Sequence, residues 1–233
     1  MIESLLTISI GEYSAVEIVL RLAVVLMSMT ALLLVLSASS VSASFRFPLF
    51  LAAVALGGAA FFEAGVWQSW KEAFELAGTS YAVSGHLIAD QDRIIAWSVG
   101  VPVILFCFGL TDGTFVGKGW MVARYGLLLL LVALVAPFSS SAAFILLVIA
   151  IILLHRSISF TLETRIALGA VIIGFSISNL LAWHPVSLGG GVSGELVRGE
   201  ILRTLIDILS LVIPSWLLLS GILRVSNKEK ESS

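Results

Sequence analysis

Seven stretches of this chain stay apolar for about twenty residues each, long enough for a helix to cross a hydrocarbon layer ~30 Å thick. They run at 14–38, 46–69, 93–111, 118–137, 140–157, 164–183 and 201–223. They lack the strict polar–apolar alternation of a half-buried strand. Lipid leaves backbone polar groups no partner outside a helix or a closed barrel. The pattern therefore predicts an all-α integral membrane protein, a single seven-helix bundle over 1–226 followed by a polar tail at 227–233. Composition agrees: 59% of the 233 residues are hydrophobic and 12% are charged, about half the charged share of a soluble domain.

Charge and cysteine usage narrow the classes further. A formal charge of −2 gives no reason to expect a nucleic-acid partner. The lone cysteine, Cys107, excludes an internal disulfide and a cysteine-rich metal site. The start of the chain carries Glu3 and Glu12 but no basic n-region, so no cleaved signal peptide is expected. Basic residues between the spans set the orientation. With the N-terminus outside, Arg46, Lys118, Arg124, Arg156, Arg165, Arg224, Lys228 and Lys230 face the cytoplasm, against Lys71, Arg198 and Arg203 outside. That asymmetry predicts N-out, C-in.

Charges inside the spans are costly, at least ~2.5 kcal/mol at the bilayer centre, and need a partner or an interface. Arg93 opens the third span and Asp207 lies within the seventh, so the two are expected to pair. Glu63 sits among Phe61, Phe62, Ala64 and Gly65 and is read as a third member of that buried ion-pair cluster. Glu17 and Arg21 stand four residues apart on one helical face and should pair near the outer surface. Ala53, Gly57, Ala60 and Ala64 form a seam of small residues suited to close helix packing. Trp67, Trp70 and Tyr81 read as an interfacial belt, and 80–87, between Gly78 and Gly85, as a short hairpin over the outer face. The connection at 184–200, with Gly189, Gly190 and Gly191, reads as a flexible outer loop, and Pro214 should kink the seventh helix.

Arg93, Trp97 and Pro102 match the helix-three pattern Arg-Tyr-x-Asp-Trp-x-x-Thr-x-Pro, and Asp207 matches the aspartate of a helix-seven Asp-x-x-x-Lys. On these residues, and on its topology, the chain resembles the microbial (type I) rhodopsins. The resemblance implies a seven-helix bundle in a prokaryotic inner membrane. It also shows what has gone. The lysine that holds retinal as a Schiff base falls at Leu211, and the only lysines, Lys71, Lys118, Lys228 and Lys230, lie outside the spans. The helix-three proton acceptor falls at Ala96, the nearby threonine at Gly100 and the proton-donor position at Cys107. The helix-six Trp-x-x-Tyr-Pro pocket pattern falls on Gly174, Ile177 and Ser178, and a helix-two histidine found in proteorhodopsins falls at Glu63. Ala96, Trp97, Gly100, Pro102 and Leu211 thus mark a vestigial pocket.

The expected function follows from those losses: a non-catalytic accessory subunit, with no covalent cofactor, packed against another membrane protein and membrane lipid. A retinal-binding rhodopsin or a photosynthetic pigment complex would be its partner. Two alternatives stay open, a carrier or photoreceptor holding retinal or a carotenoid non-covalently, and a light-independent ion path through Glu63, Arg93 and Asp207. His86, His155 and His184 are isolated near span ends and are read as capping or solvated groups, not ligands. No Ser-His-Asp arrangement, phosphate loop or metal cluster stands out, so neither an enzyme nor a metal site is expected.

Overall fold

A serine starts the first helix. In the computed structural model Ser9 Oγ accepts from the Glu12 backbone N–H at 3.2 Å, and Glu12 accepts from the Ser9 N–H at 2.9 Å. This reciprocal box satisfies two of the free donors at a helix start. Residues 7–86, 88, 90–111, 124, 127–128, 131, 134–135, 145–146, 149, 165–167, 169–171, 173–174 and 191–232 are described.

Helix α1 spans Ile10–Ser37 and α2 spans Ala43–Ala73. At 1.5 Å per residue, their 28 and 31 residues reach about 42 and 46 Å, more than the hydrocarbon layer needs. The buried stripe of α1 is Tyr13, Val16, Leu20, Ala23, Met27, Thr30 and Leu34, alternating three and four residues apart. Its opposite side carries Ile18, Leu22, Val25, Met29 and Leu32, all exposed. An apolar stripe facing in and an apolar face turned out fit a lipid surround, where a water-facing helix would be polar outside. On α2 the deepest stripe is Ala52, Leu56, Ala59, Glu63, Val66 and Trp70. Of the expected small-residue seam Ala53 and Ala60 are buried in the core, while a Cβ on Gly57 would meet nothing within 4 Å; one on Gly100 would lie 3.9 Å from Ala59 Cβ and 4.0 Å from the Ala55 carbonyl oxygen. Close approach to the next helix runs through Ala55, Ala59 and Gly100, because that is the face α2 turns inward.

Beyond α2 the chain forms strands β2 (Phe74–Ala77) and β3 (Ser80–Val83), joined at Gly78 and Thr79. Gly78 has φ +68, a left-handed conformation that suits glycine. The outer hairpin is therefore present but begins earlier than 80–87, since the turn forms at Gly78 rather than between the two glycines. Strand β1 (Thr7–Ser9), not anticipated, pairs antiparallel with β3 and gives the order β1-β3-β2. Tyr13 stacks on Tyr81 with centroids 3.8 Å apart and on Trp70 at 5.9 Å, fastening the sheet to the ends of α1 and α2.

Helix α3 is Asp90–Thr111. The last segment comprises α4 (Gly191–Asp207), a wider π turn (Ile208–Val212) and α5 (Ile213–Ser232). One expectation is corrected. Residues from Gly191 are helical where a loop to 200 was expected, because Val197 packs in the outer apolar cluster and Glu200 has a buried partner. The tail remains helical to Ser232, in keeping with the helix propensity of its Lys and Glu residues. The π turn ends beside Pro214, a recognised site for a helix to deform. At the far end Ser226 Oγ accepts from the Ser42 N–H at 2.9 Å, tying α5 to the start of α2. Ile10–Ser37, Ala43–Ala73 and Gly194–Asn227 are each long and apolar enough to cross a membrane. The spans expected at 118–137, 140–157 and 164–183 lie mostly outside the described residues.

Two apolar clusters divide the bundle. The larger includes Met27, Leu56, Ala96, Trp97, Leu105, Leu211 and Leu218. The outer one includes Ile8, Tyr13, Leu20, Val66, Trp70, Phe74 and Val197. Trp70 is fully buried at the centre of the outer cluster. Replacing it with Ala should cost about 3–5 kcal/mol, read from unfolding of the full chain in mixed micelles, with the inner cluster unfolding last.

Candidate functional site

Between those two clusters lies a layer of buried charge. Helical spacing assembles it: Glu63 falls between Ala60 and Val66 on α2, Arg93 opens the inward face of α3, and Glu200, Thr204 and Asp207 follow at four- and three-residue steps along α4. Arg93 Nε lies 2.8 Å from Asp207 Oδ2, and its Nη2 lies 2.9 Å from Glu200 Oε1. Glu63 Oε1 stands further off, at 3.5 Å. The guanidinium also donates to Thr204 Oγ1 at 3.2 Å, while that hydroxyl donates to the Glu200 carbonyl at 2.9 Å. The Trp97 indole N–H, one turn beyond Arg93, donates to Asp207 Oδ1. Both oxygens of Asp207 are thus engaged from α3.

The expected cluster of Arg93, Asp207 and Glu63 is brought together, with Asp207 the close partner and Glu63 the distant one. Glu200 and Thr204 were missed, although a signal existed: Glu200, Thr204, Asp207 and Leu211 share one helical face once the helix is extended back past 201. Arg203, expected to face outward, has its Nη1 3.9 Å from Glu200 Oε2 and is 29% exposed, on the rim of the layer. Glu17 and Arg21 pair at 2.6 Å as expected.

Below the charged layer the pocket positions are apolar and packed. Ala96, Trp97, Gly100, Pro102 and Leu211 are all buried. Leu211 is fully enclosed, and a Cβ built on Gly100 would come within 2.9 Å of its Cδ2. Ser215 Oγ donates to the Leu211 carbonyl at 2.7 Å, steadying the π turn. Cys107 is fully buried in the inner cluster. Gly174 lies against Ser210, where an added Cβ would collide with the hydroxyl. Ile177, Ser178, His155 and His184 lie outside the described residues. His86 is exposed on the outer side. Among the described residues no group of His, Cys, Asp and Glu is placed to hold a metal ion.

No family model matches the chain, and no curated protein does. Solved structures do. Over 96% of this chain and 98% of the other, it is similar to xanthorhodopsin, described as a light-driven ion pump with dual chromophore, with TM-score 0.80 and 19% identity. A thermophilic rhodopsin gives TM-score 0.76 at 20% identity over 96% of this chain and 98% of that one. A rhodopsin of Exiguobacterium sibiricum gives 0.66 at 14% identity, covering 94% and 99%. The fold is that of the microbial rhodopsins, and the chain is a multi-pass membrane protein.

Retinal held through an imine does not fit the described residues. The side chain at the expected anchor is the hydrocarbon of Leu211, and Lys71, the one lysine whose side chain is described, is exposed beyond the charged layer at the outer end of α2.

Two outcomes test this packing and pairing. Arg93→Gln should strand buried carboxylates and cost about 3–5 kcal/mol, measured by unfolding of the full chain. Gly100→Ala should cost about 1–3 kcal/mol through overpacking, and Leu211→Ala in the same chain should recover part of it; strictly additive losses would contradict the contact.

Proposed function

We propose that this protein is a rhodopsin-fold subunit of a prokaryotic inner membrane that carries no covalent retinal and serves a non-catalytic, accessory role. It assembles with another membrane protein, a retinal-binding rhodopsin or a photosynthetic pigment complex. The observation that carries the reading is Leu211, a buried hydrocarbon packed against Gly100 at the position where the resemblance places the anchoring lysine. Ala96 and Cys107, both buried and apolar in their surroundings, fall at the proton acceptor and donor positions. What the chain retains in their place is the structural set: Arg93, Trp97 and Asp207 joining α3 to α4. Such a set holds helices in register, and its retention alone says little about turnover.

A light-independent ion path is the second reading, favoured by three buried carboxylates, Glu63, Glu200 and Asp207, around Arg93. Flux of protons or sodium into liposomes that is unchanged by Asp207→Asn would dismiss it.

Purification from the native membrane in mild detergent, followed by native mass spectrometry and a visible spectrum, tests the first reading. The expected result is a complex with a second integral membrane protein and no covalent adduct on this chain after borohydride treatment with all-trans-retinal. A monomer with its own visible band would instead favour a non-covalent retinal or carotenoid carrier, and a reducible adduct would overturn both.

A further inference from the structure

At the edge of the outer cluster two cations converge on one indole. The Arg21 guanidinium carbon lies 4.9 Å from the centroid of the Trp67 ring and Lys71 Nζ lies 5.5 Å from the same centroid. By those distances Arg21 Cζ and Lys71 Nζ are at most about 10.4 Å apart (4.9 plus 5.5). A ring quadrupole attracts each cation, but the two repel one another. Glu17 neutralises Arg21 at 2.6 Å. Lys71 is exposed, and among the described residues no carboxylate pairs with it. The arrangement therefore presents one net positive charge beside an aromatic face, and an anion is its complement.

Depth supplies the identity of that anion. Arg21 lies three turns inward from the start of α1, about 16 Å at 1.5 Å per residue, so it is not at the tip of the projecting end. Its helical neighbours Ile18 and Val25 are 63% and 55% exposed, and Phe61 on α2 is 75% exposed. Those apolar side chains turn outward from the bundle, and Arg21, Trp67 and Lys71 interrupt that apolar face in the outer part of α1 and α2, with Val25 and Phe61 deeper in. Aromatic and basic residues mark this boundary, where long basic side chains reach up to the headgroups.

We propose that Arg21, Trp67 and Lys71 form a binding site for the phosphate of a phospholipid in the leaflet on the β-sheet side. The phosphate lies between guanidinium and ammonium, and an acyl chain runs down past Val25 and Phe61. An anionic lipid is favoured over a zwitterionic one, since the site's net charge is positive and a choline ammonium would oppose Lys71. The site goes beyond the reading as an accessory subunit and does not depend on a partner or a pigment.

Native mass spectrometry of the full chain, delipidated and then titrated with phosphatidylglycerol or phosphatidylcholine, tests it. The wild-type chain should retain phosphatidylglycerol at least threefold more than phosphatidylcholine. Lys71→Gln should erase that preference, and Lys71→Glu should reduce retention of phosphatidylglycerol about tenfold. Arg21→Gln combined with Lys71→Gln should match Lys71→Glu; if that double variant fails to fold, Lys71→Glu alone carries the test, being an exposed position. Equal retention by wild type and Lys71→Glu would overturn the proposal. So would displacement of bound lipid by millimolar inorganic phosphate, which would make the site one for free phosphate.

Discussion

One guanidinium in the middle of an apolar bundle makes demands on everything around it. Arg93 is buried between two hydrocarbon clusters, and an unpaired charge in such a place would be prohibitive. Its ligands come from elsewhere in the chain: Glu63 on α2, Glu200, Thr204 and Asp207 on α4. Meeting that demand forces three helices into a fixed rotation and depth. The spacing of polar residues along α4 and the three-and-four rhythm of α2 are the covalent record of it.

This layer also separates two kinds of packing. On one side small and branched residues bring backbones close, with Ala55, Ala59 and Gly100 letting α2 approach α3 and Leu211 filling the space against Gly100. On the other side aromatic side chains do the filling. Tyr13 and Trp70 pack with Phe74 and Tyr81 of a three-stranded sheet made from the outer hairpin and the strand that precedes α1. The first packing suits lipid, where van der Waals contact drives helix association. The second suits water, where burial of large aromatic area contributes most.

A fold shared with light-driven pumps does not by itself carry their chemistry. A scaffold of this kind hosts a function only through particular side chains, and Leu211 stands where the resemblance leads one to expect the retinal lysine. The charged layer answers to burial. Arg93 needs Asp207 whether or not an imine stands nearby.

Much of this was legible in the order of residues alone. Long apolar runs determined a membrane bundle, because lipid permits almost nothing else, and the Arg93, Trp97 and Asp207 motif pointed to the architecture and to the Arg93–Asp207 pair. The pairing of Glu17 with Arg21 followed from helical spacing. Tertiary structure decided what no local pattern could. Glu200 was hidden because Gly191 and Gly194 make the start of α4 look like a loop, and only packing against α1 and the ion pair with Arg93 turn that stretch into helix. Of the α2 seam, Ala53 and Ala60 are buried in the core, but the close approach to Gly100 runs through Ala55 and Ala59, since a helix that is apolar all round carries no internal mark of which side meets which neighbour. Strand β1 was invisible for the same reason: three residues acquire a structure only from the edge they pair with.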